Sequence, residues 1–234
     1  EPLILGHETS GEVAKVGKNV THLKEGDRVA LEPGVPCGCT AFVKQGLYNL
    51  CPSIKFFATP PIHGTFAEYF VHDANFAFKL PDNVSFEEGA MCEPLSVGIH
   101  AARQGGIGLG SRVLITGAGP IGLVNTLTAR AAGAGIVIVV ETHKNRSTMA
   151  KECGATHIIE SFDKTQILDQ VMQITGGAGV DVVIECSGAG SAAQVAVETL
   201  KPGGTPVFVG LFSALEVPMD LNAIPQTELT YKGV

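Results

Sequence analysis

The sequence predicts an α/β protein built on a doubly wound parallel sheet, with a smaller, irregular β domain ahead of it. Three observations carry this. Beyond Gly110, apolar β-like runs alternate regularly with helical segments, the pattern of a parallel sheet covered on both faces. The first eighty residues instead hold short Val-rich runs broken by turn residues. Between the two, Ser85-x-x-Glu88 forms a capping box, the signature of a helix start. With 45% apolar residues, 17% charged residues and 29 glycines, the chain can bury sizeable cores linked by many tight turns.

In the front part, GEVAKVG and DRVALEPG cluster Val with polar residues, and Gly17, Gly26-Asp27 and Pro33-Gly34 punctuate them. A Pro-rich loop follows at Thr59-Pro60-Pro61, then FAEYFVH and FAFKLPD. A boundary near Ser85 gives two domains, 1–84 and 85–234. The capping box opens a helix through about Arg103. Strands are expected at 112–116, 136–141, 156–160, 180–186 and 205–211, and helices near 120–133, 143–153, 163–174 and 190–200. Gly133, Gly154 and Gly176 fall where helix C-caps belong.

Residues 113–141 carry the strongest chemical signal. Val113–Thr116 leads into G-x-G-x-x-G at Gly117, Gly119 and Gly122, and an Ala-rich helix and the run IVIVV end at Glu141. In a Rossmann dinucleotide site, the first glycine permits the tight turn. The second lets backbone approach a pyrophosphate, and the third lets the helix pack closely. The helix N-terminus, opening at Pro120-Ile121, offers free N–H groups and a positive dipole end to the phosphates. Glu141 is placed to accept hydrogen bonds from the adenosine ribose hydroxyls. Its carboxylate repels a 2′-phosphate, which favours NAD over NADP. Lys144 and Arg146 leave a second reading open, since cations there could pair with a phosphate; otherwise they are a solvated first helical turn.

Gly6-His7-Glu8 is a second candidate site. Imidazole and carboxylate are both zinc donors, and catalytic zinc typically has three protein ligands and one open position. An H-E pair alone is usually a surface feature. Met91-Cys92-Glu93-Pro94-Leu95-Ser96, however, places Glu93 in an apolar helix, where a carboxylate needs a partner: a cation, or a backbone or Arg pairing. His22, His63, His72, His100, His143 and His157 carry no pattern and are read as structural.

The net charge of −7 and pI near 5.5 argue against nucleic acid and anionic membranes as partners. No apolar run reaches the roughly 18 residues of a membrane-spanning helix. Six cysteines in a chain of cytosolic character are expected as thiols or metal ligands rather than disulfides, and the protein is expected in the cytoplasm. Glu1 in place of a methionine, and an end on Lys232-Gly233-Val234, are read as truncations, so no targeting signal is judged.

G-H-E at 6–8, G-D-R-V-A at 26–30, E-P-G-V-P-C at 32–37, Y-N-L-C at 48–51, F-A-T-P-P at 57–61, K-L-P-D-N-V at 79–84, E-P-L-S-V-G-I-H at 93–100 and G-A-G-P-I-G at 117–122 resemble the zinc-dependent medium-chain dehydrogenases. Within them the chain looks like the sorbitol/xylitol branch. The resemblance covers essentially the whole chain. It implies a GroES-like catalytic β domain ahead of the Rossmann domain, a further zinc cysteine upstream of Glu1, and more cofactor and substrate contacts beyond Val234. It makes His7 and Glu8 metal ligands and puts Glu93 at the metal pocket, touching zinc-bound water or substrate. Phe56 and Thr59 match pocket-lining positions. Gly117, Gly119, Pro120, Ile121, Gly122, Glu141 and Arg146 match cofactor contacts, and Val209-Gly210-Leu211 matches the segment beside the nicotinamide.

Relatives often hold a second, structural zinc on C-x2-C-x2-C-x7-C. The matching positions here are Cys37, Thr40, Val43 and Cys51, with Cys39 out of register. Two donors of four are missing, so no structural zinc is expected and Cys37, Cys39 and Cys51 are expected to remain thiols. The resemblance implies an NAD- and zinc-dependent oxidation of a polyol such as sorbitol, xylitol or L-arabinitol to its ketose, by a homo-oligomer (tetramer or dimer). Two alternatives stand: another zinc dehydrogenase acting on threonine or simple alcohols, and a dinucleotide binder without catalysis. Glu at positions 8 and 93 favours the polyol branch over the first; metal content separates the second.

Overall fold

The computed structural model describes residues 2–214 and 216–234. Two compact units divide between Glu93 and Pro94, later than the 84/85 boundary expected from sequence.

In the first unit, β1 (Thr9–Glu12), β2 (Arg28–Leu31) and β5 (Ala77–Lys79) form an antiparallel sheet in the order β1-β2-β5; β3 (Gly34–Val35) and β4 (Lys55–Phe56) make a separate two-stranded ribbon. Buried Asp27 ties the sheet's end, accepting from Lys79 Nζ at 2.7 Å and from the Lys24 N–H at 3.0 Å. A one-turn helix α1 (Ala41–Lys44) follows β3.

Helix α2 (Phe86–Ala90) opens on the expected capping box: Glu88 N–H donates to Ser85 Oγ at 3.1 Å, and Ser85 N–H to Glu88 Oε2 at 2.7 Å. Arg28 stacks over the Phe86 ring, and Gly89 meets Leu80 and Ser10, so α2 belongs to the first unit. The single helix expected from Ser85 to Arg103 is broken at Met91, and α3 runs over Cys92–Gly105. Pro94 explains the break: it has no N–H for the carbonyl four residues back and is tolerated only in a first helical turn.

The second unit holds β6 (Arg112–Thr116), α4 (Pro120–Ala131), β7 (Ile136–Val140), α5 (Lys144–Glu152), β8 (His157–Ile159), α6 (Lys164–Ile174), β9 (Val180–Glu185), α7 (Gly190–Glu198), β10 (Leu200–Phe208), α8 (Ala223–Thr227) and β11 (Lys232–Gly233). The sheet is parallel, in the order β11-β10-β9-β6-β7-β8, with strand order reversing between β6 and β9. Alternate residues explain its two covered faces. Val113, Ile115, Val137 and Val139 pack with Ala101, Ala129 and Ala150, while Leu114, Ile138 and Val183 pack with Ile167, Val171 and Ala196. Gly133 and Gly154 adopt φ of 100° and 103° directly after α4 and α5, as C-cap glycines should. The last expected strand starts earlier and ends at Phe208, so Val209-Gly210-Leu211 lies beyond it.

Opposite the sheet's chemical edge, Asp181 accepts from Arg112 N–H at 2.7 Å and Lys201 Nζ at 2.6 Å, joining three strands. Burial opposes its charge, yet these donors outweigh burial and lower its pKa to about 2. A lowered carboxyl pKa contributes stability above the unfolded value near 4, and loses it as pH falls through about 2. Asp181→Asn is therefore expected to lower the unfolding midpoint at pH 7 and to differ little from wild type near pH 2; a difference constant over that range would contradict the assignment.

Candidate active site

His7 is placed by backbone pairing. Gly64, Thr65 and Phe66 donate N–H bonds to the carbonyls of Ile4, Gly6 and Leu5 at 2.7, 2.9 and 2.9 Å, fixing the chain just before β1. Gly6 has φ 94°, and a Cβ on Gly64 would run into the Gly6 carbonyl oxygen. The Thr9 and Thr65 hydroxyls hydrogen-bond across the same junction. The His7 ring leans on Phe56, with centroids 5.6 Å apart. One donor atom each from His7, Glu8 and Glu93 lies within 4.8 Å of the others, and among the described residues this is the one such three-donor group. Donors on a tetrahedral zinc, about 2.1 Å from the ion, are roughly 3.4 Å apart, so modest side-chain adjustment would close the set. Burial raises the Glu93 pKa, with the neighbouring Glu8 adding and His7 opposing. An imidazole and two carboxylates gathered this closely fit a divalent cation. Thr59 lies in the exposed turn after β4, its N–H bonded to Phe56 O.

In the second unit, a cavity of about 300 Å³ opens at the carboxyl ends of the strands. Gly117, Gly119, Glu141 and Arg146 line it, as the sequence suggested; so do His143, Phe162 and Ser187, which it did not. Gly117 takes φ 88°, Gly119 caps α4 with open space where a Cβ would be, and a Cβ on Gly122 would run into the Gly117 carbonyl. Pro120 and Ile121 form the first turn of α4. Its open N–H groups and Gly119's free face suit a pyrophosphate.

Glu141 is nearly buried. Its Oε1 accepts from the N–H groups of Thr142 and His143 at 2.8 and 2.9 Å, and His143 Nδ1 lies 3.0 Å away. Oε2 accepts from Ala118 N–H at 3.0 Å, with Arg146 Nη1 at 3.9 Å. Burial opposes the charge, but the His143 and Ala118 donors prevail and lower the pKa. Glu141 thus staples the glycine turn to the loop before α5, and Oε2 keeps a lone pair for a ribose hydroxyl. His143, read as structural from sequence, belongs to this cavity.

Sequence reasoning also missed Glu185, fully buried at the end of β9 where strand order reverses. Its Oε1 accepts from Ser187 N–H at 2.8 Å, Gly188 N–H at 3.0 Å and Thr116 Oγ1 at 3.3 Å. Its carbonyl accepts from Val209 and Gly210, both at 2.9 Å, which places that segment at the same sheet edge; Leu211 is exposed. The buried acid amid the apolar run VDVVIECSG was the available signal.

A Rossmann cleft with a stapled acid in one unit and a His-Glu-Glu donor set in the other define a dinucleotide-linked dehydrogenase class. Residues 1–82 match the model of the alcohol dehydrogenase GroES-like domain, and residues 120–234 match that of the zinc-binding dehydrogenases. Sorbitol dehydrogenase of Pongo abelii is 49% identical over 100% of this chain and 66% of its own length. D-xylulose reductase of Saccharomyces cerevisiae is 47% identical over 99% and 66%. A zinc-binding dehydrogenase of Sinorhizobium meliloti 1021, solved bound to NADP, superposes with a TM-score of 0.91 at 33% identity, over 99% of this chain and 68% of that one. The chain belongs to the zinc-dependent medium-chain dehydrogenases and, within them, to the sorbitol/xylitol branch. It spans 66% of the length of these curated relatives.

Proposed function

We propose that the full-length protein is an NAD- and zinc-dependent dehydrogenase that oxidises a secondary alcohol of a polyol such as sorbitol or xylitol to the ketose. The observation that carries this reading is the convergence of His7, Glu8 and Glu93 in a chain whose other unit presents the Glu141-stapled glycine turn. His7 and Glu8 hold the metal as direct donors, and Glu93 contacts it through water or meets the substrate. A bound zinc supplies a Lewis acid that lowers the pKa of the substrate hydroxyl. NAD supplies the hydride acceptor. Phe56, packed on His7, lines the alcohol side together with Thr59. Glu141 and Arg146 hold the adenosine ribose, Gly117, Gly119, Pro120, Ile121 and Gly122 the pyrophosphate, and Val209, Gly210 and Leu211 the nicotinamide side.

The glycine-rich turn beside a charged Glu141 supports NAD over NADP. The six free thiols support a cytoplasmic setting. No helix among the described residues is long and apolar enough to cross a membrane. A homo-oligomer, tetramer or dimer, remains part of the proposal through family resemblance.

Metal analysis of the full-length protein tests the reading. About one zinc per subunit is expected, with chelation abolishing polyol oxidation and zinc restoring it. No zinc in an active preparation would contradict the assignment, and a reproducible count near two would mean that the cysteine lobe also binds metal.

A further inference from the structure

Three thiols gather in the lobe around α1, in the first unit. Cys37 Sγ lies 3.3 Å from Cys39 Sγ and 3.5 Å from Cys51 Sγ. The positions that would complete a four-thiolate metal site carry Thr40 and Val43, and Thr40 is committed as the N-cap of α1. Both neighbouring sulfurs approach Cys37, and the three do not form a compact three-donor group as His7, Glu8 and Glu93 do. Cys37 is exposed and central, whereas Cys51 beside it is buried. The Cys39 N–H, followed by the Cys39 and Cys51 thiols, donates toward Cys37 and lowers its pKa to about 7, while the bond to Cys37 raises that of Cys39.

We propose that Cys37 and Cys51 form a redox-active dithiol, in which Cys37 is the nucleophile toward a hydroperoxide and Cys51 the resolving thiol. The Cys37 thiolate attacks the peroxide oxygen; the S–O bond forms, the O–O bond breaks, and hydroxide or alkoxide leaves. The Cys51 sulfur then attacks the sulfenic sulfur, forming the disulfide as the S–O bond breaks, and its proton leaves with the departing oxygen as water. Two thiols and one hydroperoxide thus give one disulfide, one water and one alcohol or second water. Cys51 resolves in preference to Cys39, because a Cys37–Cys39 bridge would span a single residue and distort disulfide geometry. Exposure and thiolate character select Cys37 for the first step. Cys153 and Cys186 are both pushed toward the thiol form by burial.

The test treats reduced full-length protein with hydrogen peroxide, blocks free thiols, and maps peptides by mass spectrometry without reduction. A Cys37–Cys51 linked peptide that dithiothreitol dissolves is expected. In the untreated protein at pH 7, iodoacetamide should alkylate Cys37 well ahead of Cys153, whose burial holds it in the thiol form. Cys51→Ser should accumulate a dimedone-reactive sulfenic acid on Cys37, and Cys37→Ser, at an exposed position, should form no lobe disulfide. A Cys37–Cys39 bridge, oxidation of Cys153 ahead of Cys37, or lobe thiols that react only after a chelator strips a second metal would each overturn the proposal.

Discussion

Replacing His7 with alanine in the full-length protein is expected to abolish zinc binding and polyol oxidation together, while NAD binding stays within about twofold of wild type. Imidazole is the one neutral donor of the set, and its loss leaves only the two carboxylates, Glu8 and Glu93, of the three donors. Removing a Lewis acid worth several kcal/mol in the transition state should lower kcat/KM by about three orders of magnitude or more. The cofactor turn should be spared, because Gly117–Gly122 belongs to the other compact unit. Zinc content, polyol oxidation and NAD affinity, measured on one preparation, check all three statements. A variant that keeps its zinc and the wild-type rate would make His7 a structural residue and move the metal elsewhere.

Glu141→Ala should raise the Kd for NAD about 10- to 100-fold and narrow the preference against NADP. Each charge-assisted hydrogen bond lost to the ribose costs about 1.5–3 kcal/mol, and about 1.4 kcal/mol corresponds to tenfold in affinity. The same substitution also removes the acceptor for the Ala118, Thr142 and His143 N–H groups. Part of the loss therefore comes through a loosened glycine turn. Glu141→Gln removes the charge but keeps one acceptor oxygen, for either the Ala118 N–H or the Thr142 and His143 N–H groups, while its NH2 faces the other side. It loses less of the staple than alanine does, and its Kd should fall between wild type and alanine. Equal Kd values for NAD in all three proteins would remove Glu141 from cofactor recognition.

The Rossmann half was legible because its signals are local. Strand 112–116 appears as read, since a continuous apolar run, buried on both faces, is closed by the glycine turn. The helix at 85–103 was misread through Pro94, where apolar content suggested continuity and the missing N–H forbade it. At the metal site, the pairing of His7 with Glu8 could be read from adjacency, and Glu93 only through its apolar setting and the family resemblance. Gly64 and Thr65, which position His7 from far along the chain, carried no local mark. His143 and Glu185 were overlooked for a similar reason. A lone histidine and a strand-end acid become informative only when folding brings the Gly117 turn, Glu141 and Ser187 around one cavity.

The most direct measurement is a panel of polyols and simple alcohols offered to the full-length, zinc-loaded protein with NAD and with NADP, following formation of the reduced nicotinamide. An NAD- and zinc-dependent polyol dehydrogenase should oxidise sorbitol, xylitol or L-arabinitol with NAD, at a kcat/KM well above that with NADP, and lose the signal on chelation. Turnover confined to threonine or simple alcohols, a preference for NADP, or activity indifferent to zinc removal would contradict that assignment.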